Sequence, residues 1–382
     1  MASISDVLEG NRICICAGSG GVGKTTASAA IALGMAARGH KVCVLTIDPA
    51  KRLADSLGLK ELGNEATRVD PKLLKEQGKV AEGGELWAMM LDAKETFDNL
   101  VARHAEDAEA RDRVLNNRIY QQISGALAGS QEYMAMEKLF ELHSEGRFDL
   151  LVLDTPPSRN ALDFLDAPTR LTQFIEGKSL QIFLKPTGFA AKIAGRGAGV
   201  ALSVLKRLVG FDLLADLSEF FTAFSGMIDG FQDRAHRVSA LLADDETCFV
   251  IVCGPQGDQV DEAVFFHSKL MESEMNFGGA VVNRVRYRLA TRIPKITALT
   301  EKLEPEFEDE DLANEVARTL IEYDLLAQRD EKNIARLRES LGDEPVIRIP
   351  YLDTDVHDIE GLGVINDYLF ATEETRVKLA TK

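Results

Sequence analysis

Gly18-Ser19-Gly20-Gly21-Val22-Gly23-Lys24-Thr25-Thr26 is the stretch on which the reading of this chain turns. Gly18, Gly23, Lys24 and Thr25 occupy the fixed places of a phosphate-binding loop: a glycine, four free positions, then glycine, lysine and a hydroxyl residue. The apolar run before it, Arg12 to Ala17, predicts a buried strand. The Ala-rich stretch after it, Thr26 to Arg38, predicts a helix closed by Gly39. Strand, loop and helix therefore come in the order that such a loop needs. Glycines let the backbone curl until several N–H groups aim at one anion, and the helix N-terminus adds partial positive charge. Gly20, Gly21, Val22, Gly23, Lys24, Thr25 and Thr26 form the candidate cradle. Lys24 can reach the β- and γ-phosphates of ATP or the β-phosphate of ADP, and the Thr25 hydroxyl can ligand Mg²⁺.

Two further strand ends carry carboxylates. Lys41 to Ile47 predicts a strand that runs into Asp48-Pro49-Ala50-Lys51-Arg52-Leu53-Ala54-Asp55. An acid at the C-terminal end of a strand beside the phosphate loop lies where open α/β sheets place their chemistry. Asp48 could position or deprotonate the attacking water, or hold Mg²⁺ through a water. An Asp-Pro turn without chemistry is the other reading. Phe148 to Leu153 predicts a strand closing in Asp154, the pattern of a Walker B acid that supports Mg²⁺.

Outward from these motifs, Leu59 to Gly84 is polar and irregular. Leu86 to Leu91 predicts a strand, and Ala93 to Gly146 is mostly helical. Ala167 to Asp245 breaks the strand–helix alternation. Cys248 to Cys253, Gly279 to Val282 and Val346 to Ile349 restore it. Glu301 to Leu341 is acidic and helical and reads as a solvated face; a last helix runs from Gly361 to Leu379. The expected fold is α/β: a doubly wound, mainly parallel sheet of about seven or more strands. Residues 1–166 and 246–382 would form the ATPase domain and residues 167–245 an inserted helical subdomain.

The net charge of −17 opposes non-specific binding to nucleic acid or anionic lipid. Against it, residues 177–211 hold no Asp or Glu, but carry Lys178, Lys185, Lys192, Arg196, Lys206 and Arg207 among apolar residues. This island is either a subdomain core whose lysines snorkel, or a surface for a hydrophobic client, a membrane protein or an acidic partner. Cys14, Cys16, Cys43, Cys248 and Cys253 all lie in strand-like runs without a C-x-x-C pair, which reads as buried packing and predicts no zinc. The first strand starts too early for a signal peptide and no apolar run spans a bilayer. The expected location is the cytoplasm, with peripheral membrane attachment if residues 177–211 meet lipid.

The phosphate loop, Thr46-Ile47-Asp48-Pro49-Ala50, Asp154-Thr155-Pro156-Pro157-Ser158-Arg159-Asn160-Ala161-Leu162 and Val281-Val282-Asn283 occur in the order of the ArsA/Get-type ATPases, which the chain resembles along nearly its whole length. That family includes soluble subunits of arsenical pumps and targeting factors for tail-anchored membrane proteins. The resemblance is to bacterial members called anion-transporting ATPase-like. It implies Mg²⁺-dependent ATP hydrolysis coupled to a conformational switch that acts on a protein or membrane partner. It also implies a homodimer or a pair with a paralogue. A slow nucleotide-dependent interaction switch and the ATPase subunit of an anion efflux pump are the alternatives. By this resemblance Asp48 positions the water, Asp55 closes the first switch segment, Asn283 reads the adenine edge, and Pro350 and Tyr351 lie against the base. Relatives that dimerise around nucleotide carry a second lysine where this chain has Ser19, and targeting factors tend to have His where it has Asn160. An arginine finger from Arg52 or Arg159 could supply the charge that Ser19 does not; the alternative is that both arginines pair with nearby carboxylates such as Asp55 or Asp163 and hydrolysis is slow.

Overall fold

The structure, a computed structural model, describes residues 3–48, 50–77, 80, 82–123, 131–156, 165–168, 173, 220, 227–288 and 293–380. Within these, eight strands form one sheet: β1 Ile13–Ala17, β2 Lys41–Thr46, β3 Thr67–Arg68, β4 Glu85–Met90, β5 Leu150–Asp154, β6 Thr247–Cys253, β7 Phe277–Val285 and β8 Val346–Pro350. Their spatial order is β3-β4-β2-β5-β1-β6-β7-β8. Every neighbouring pair is parallel except β3, which runs antiparallel to β4 at one edge. The physical cause is in the composition of the strands. β1, β5 and β6 are apolar almost throughout and buried at every position, as strands covered on both faces must be.

Alternation along each strand divides the core into two layers. Ile13 and Ile15 of β1 point to one face, where they join Leu100, Leu139, Phe231, Val260 and Ile334. These belong to helices α5 (Ala93–His104), α8 (Gln131–Glu145), α9 (Ile228–Leu242), α10 (Gly257–Glu272) and α12 (Glu310–Leu341). Cys14 and Cys16 point to the other face, against Ile31 and Leu33 of α2 (Lys24–Ala36) and Leu362 and Ile365 of α13 (Ile359–Leu369). Each such fully buried aliphatic side chain stabilises the fold by about 1.5–3 kcal/mol. The five cysteines are part of this packing: all are free and buried, and burial pushes the thiols of Cys43, Cys248 and Cys253 up to about 12.

The remaining helices are α1 (Ile4–Val7), α3 (Arg52–Ser56), α4 (Pro71–Glu76), α6 (Ala108–Leu115), α7 (Arg118–Ile123), α11 (Ile296–Phe307) and α14 (Glu373–Ala380). Three sequence expectations change in detail. The irregular stretch 59–84 contains α4, capped by the Asp70 carboxylate, and the edge strand β3. The last helix is two, α13 and α14, separated at Phe370–Thr372. The acidic helix α12 is not only a solvated face: it buries Ala313, Ala317, Ala327, Ile334, Leu337 and Leu341. It also buries Asp324 and Asp330, which pair with Arg288 and Arg286. Of the expected helical insert, residues 177–211 lie outside the described residues. Its far end, α9, packs Phe231, Ala235 and Val238 into the core of the sheet.

What positions the site is the strand order. β1 lies at the middle of the sheet between β5 and β6, and its chain leaves through the glycine loop into α2. The loop therefore sits at the carboxyl ends of the strands, where the order of connection reverses and open α/β sheets bind ligands.

Candidate functional site

Two glycines shape the loop. Gly18 has φ +153°, and a Cβ there would stand 2.0 Å from the Val252 carbonyl oxygen, so no side chain fits between loop and β6. Gly23 caps α2 with φ +93°, a left-handed conformation that favours glycine, and a Cβ there would meet the Asn283 amide at 2.4 Å. The result is a loop pressed against β6 and β7, with the N-terminus of α2 opening from it. Lys24, the first residue of α2, is buried and its Nζ donates to the Ser19 carbonyl at 2.9 Å. Burial lowers its tendency to stay protonated, and Asp154 and Asp48 oppose that effect. The Ser19 hydroxyl is buried and has no hydrogen-bond partner among the described residues.

The two hydroxyls of Thr25 and Thr46 converge on one carboxylate oxygen. Thr25 Oγ1 donates to Asp154 Oδ2 at 2.7 Å, and Thr46 Oγ1 donates to the same oxygen at 2.9 Å. The strand register brings this about, since Thr46 and Asp154 are Cα partners on the paired strands β2 and β5. The other oxygen, Oδ1, is buried and has no hydrogen-bond partner among the described residues. Thr155 fixes the end of β5 by donating its hydroxyl to the Cys16 carbonyl at 2.8 Å. Asp48 sits just beyond β2; its Oδ1 accepts from the Ala50 N–H at 2.9 Å and its own N–H donates to Thr46 Oγ1 at 3.2 Å. It thus makes a local turn and also lines the cavity.

That cavity, about 430 Å³, is lined by Gly21, Gly23, Lys24, Thr25 and Thr26, by Asp48, Arg52, Asp55 and Ser56, and by Thr155, Arg284, Asp355, Val356 and His357. It brings together the loop, both acidic strand ends (through Asp48 and Thr155) and the first turns of α2 and α3. Asn283 is held against the loop: its Nδ2 donates to the Val22 carbonyl and its Oδ1 accepts from the Arg284 N–H, both at 2.9 Å. Asn283 itself does not line the cavity. Tyr351 is 55% exposed, and its ring lies 5.3 Å from the Arg286 guanidinium; neither it nor Pro350 lines the cavity. Asp355, Val356 and His357 take that position instead. The signal was present in their place after β8, at the carboxyl end of the sheet, but no residue type there marks them. Arg284 was also missed. Pro49 and the segment 157–164, with Arg159 and Asn160, lie outside the described residues.

Burial raises the Asp154 carboxyl to about 6, outweighing the lowering by the Thr25 and Thr46 hydrogen bonds and by Lys24. The sign of the linkage follows. At a pH below its ordinary value of 3.8 the group is protonated in folded and unfolded chains alike; above about 6 only the folded, ligand-free protein carries a desolvated charge. Its contribution to stability is therefore lost as the pH rises through this window. Asp154→Asn is expected to stabilise the ligand-free protein at neutral pH by roughly 2–3 kcal/mol, and by little in acid. Urea unfolding at both pH values checks this. A variant less stable than wild type at neutral pH would mean that the partners of the carboxylate outweigh its burial.

A carboxylate with an orphaned oxygen, a hydroxyl beside it, a buried lysine and a helix N-terminus around one cavity form a set of donors and acceptors suited to a phosphate chain and its cation. Comparison with known proteins agrees. The family model described as anion-transporting ATPase matches residues 11–288. A protein of Aquifex aeolicus (strain VF5) that carries the name of an arsenical pump-driving ATPase is 23% identical over 366 residues, covering 95% of this chain and 79% of that one. ATPase GET3A of Arabidopsis thaliana is 22% identical over 365 residues, covering 94% and 85%. ATPase ARSA2 of Chlamydomonas reinhardtii is 27% identical over 276 residues, covering 70% and 66%. With the family pattern matched over most of its length and the sheet, loop and acidic strand ends in place, the chain belongs to the anion-transporting ATPase family of P-loop ATPases.

Proposed function

We propose that this ATPase is Mg²⁺-dependent and uses ATP binding and hydrolysis to drive a conformational switch that acts on a protein or membrane partner. The observation that carries the reading is the convergence of Thr25 and Thr46 on Asp154, whose second oxygen is buried and has no hydrogen-bond partner among the described residues. An orphaned carboxylate oxygen next to a loop hydroxyl fits Mg²⁺, a cation that keeps several waters and takes few protein ligands. Thr25 would hold it directly, and Asp154 and Asp48 through water. A Mg²⁺ held by these residues would supply positive charge to offset the charge that develops on the phosphates. The amides from Gly20 to Thr26 and the Lys24 ammonium bind and orient the phosphates. Asp48 orients the attacking water in line. Phosphoryl transfer needs positioning and charge stabilisation more than covalent help.

Asn283 would read the adenine edge, and Pro350 and Tyr351 would approach the base from the end of β8. The expected outcome is tighter binding of ATP than of GTP, and loss of that preference in Asn283→Ala. Calorimetric titration of both nucleotides checks it, and equal affinities in wild type would remove Asn283 from this role.

GET3 and arsenical-pump relatives make a homodimer or a pair with a paralogue the expected assembly, with residues 177–211 the candidate surface for a hydrophobic client or membrane protein. Among the described residues no helix is long and apolar enough to cross a membrane. A second reading, a slow switch in which the bound state matters more than turnover, is favoured by Ser19 in place of a second loop lysine. Steady-state hydrolysis with and without vesicles and candidate partners separates the two: partner-stimulated turnover supports the first, and turnover that stays slow with nucleotide-dependent capture supports the second.

A further inference from the structure

We propose that Arg284 is the second cation of the triphosphate site, supplied by the same chain to the terminal phosphate where related ATPases use a second loop lysine. The proposal rests on the ATPase reading above. Ser19 brings a hydroxyl but no charge. The cavity is lined by the cations Lys24, Arg52 and Arg284 and by the carboxylates Asp48, Asp55 and Asp355. Such a lining is balanced before ligand arrives, so a triphosphate, with its several negative charges, needs each cation. Arginine is suited to the task because it stays charged in any surroundings and meets phosphate oxygens with a planar fork of donors.

The path of the chain sets Arg284 apart from its neighbours. Arg284, Arg286 and Arg288 alternate along the end of β7 and just beyond it, so on an unbroken strand they would share a face. Arg286 and Arg288 follow that expectation and pair with Asp330 and Asp324 on α12. Arg284 does not. Its φ is +60°, a conformation that bulky residues rarely adopt, at the place where the register between β7 and β8 shifts. The turn sends its guanidinium to the phosphate loop, where Nη1 donates to the Gly21 carbonyl at 3.2 Å. Among the described residues it has no carboxylate partner. Asn283 stitches the same turn to the loop through the Val22 carbonyl and the Arg284 N–H. The strained residue is thus held at two points against the loop, and the bond to Gly21 leaves most of its donors free at the cavity wall. Backbone strain retained in this way is characteristic of ligand sites.

The test compares wild type with Arg284→Asn and Arg284→Lys. Asparagine tolerates the left-handed backbone and removes the charge; lysine restores the charge without the fork. Affinities for ADP and for a non-hydrolysable ATP analogue, both with Mg²⁺, are measured by calorimetry, together with kcat and KM. Arg284→Asn is expected to lose at least about 10-fold in affinity for the analogue while ADP affinity stays within about threefold. Its kcat should fall about 10²-fold or more, toward the 10³–10⁵ that an arginine stabilising transferring phosphate is worth. Arg284→Lys should recover part of both. Equal losses for the two nucleotides would mean that Arg284 only shapes the loop and would overturn the proposal, as would an unchanged kcat. Melting of the ligand-free variants separates these outcomes from a folding defect, and Arg284→Lys keeps the test decisive if the asparagine variant does not fold. A wild-type protein that bound neither nucleotide would overturn the ATPase reading itself, and this proposal with it.

Discussion

Lys24→Ala is expected to lower ATP turnover by about 10²–10³-fold or more, the scale seen when one charge-stabilising donor is removed from a reacting centre. It should weaken ATP binding as well. The structure explains why the loss should fall on function rather than on the fold. Lys24 is buried, but among the described residues its ammonium donates only to the Ser19 carbonyl, and burial works against its charge. Removing it leaves one loop carbonyl without that donor and leaves the apolar packing of α2 unchanged. The expected loss of ligand-free stability is at most about 1.5–3 kcal/mol, the scale of one hydrogen bond to a charged group. Turnover, ATP affinity and thermal melting measured on the same preparation check this. Wild-type turnover in the variant would remove the loop from the chemistry.

Asp48→Asn is expected to keep ATP and hydrolyse it about 10²–10⁴-fold more slowly, the range over which a positioned acid or base contributes. The substitution is conservative in shape. Asn Oδ1 can still accept from the Ala50 N–H, so the turn after β2 should persist. What is lost is the negative charge that, in the proposed mechanism, would orient and polarise a water. ATP affinity should stay near wild type, or rise slightly as a carboxylate is removed from a cavity that takes an anion. A kcat within about threefold of wild type would move the water-positioning role to another residue. Because it should hold ATP without consuming it, the same variant is the bait for capturing partners that recognise the ATP-bound form.

Several parts of this molecule follow from short-range spacing alone. The loop could be read because glycine, lysine and threonine at fixed intervals, between an apolar run and an Ala-rich one, have few alternatives. The core strands could be read because a strand covered on both faces must be apolar throughout, and β1, β5 and β6 are. Asp48 and Asp154 stood out because each ends such a run. The strand boundaries differ from those expected by at most about three residues, as helix and strand ends fray.

Other parts depended on residues distant in sequence meeting in space. Nothing near Thr46 marks it as a partner of Asp154, 108 positions away; the parallel register of β2 and β5 makes it one. Asp355, Val356 and His357 line the cavity although nothing in their residue types marks them, because the chain continues past β8 before turning toward the loop. The acids of α12 read as a solvated face, yet Asp324 and Asp330 are buried against arginines at the end of β7, a pairing that only the packing of α12 on the sheet creates. Arg284 is the sharpest case. Its sequence neighbours would place it on their own face, and only the left-handed turn, clipped to the loop by Asn283, directs it to the phosphate site. Spacing along a chain encodes what one element does. Which elements share a carboxylate, a cation or a cavity depends on strand register and backbone turns between segments that the sequence keeps apart.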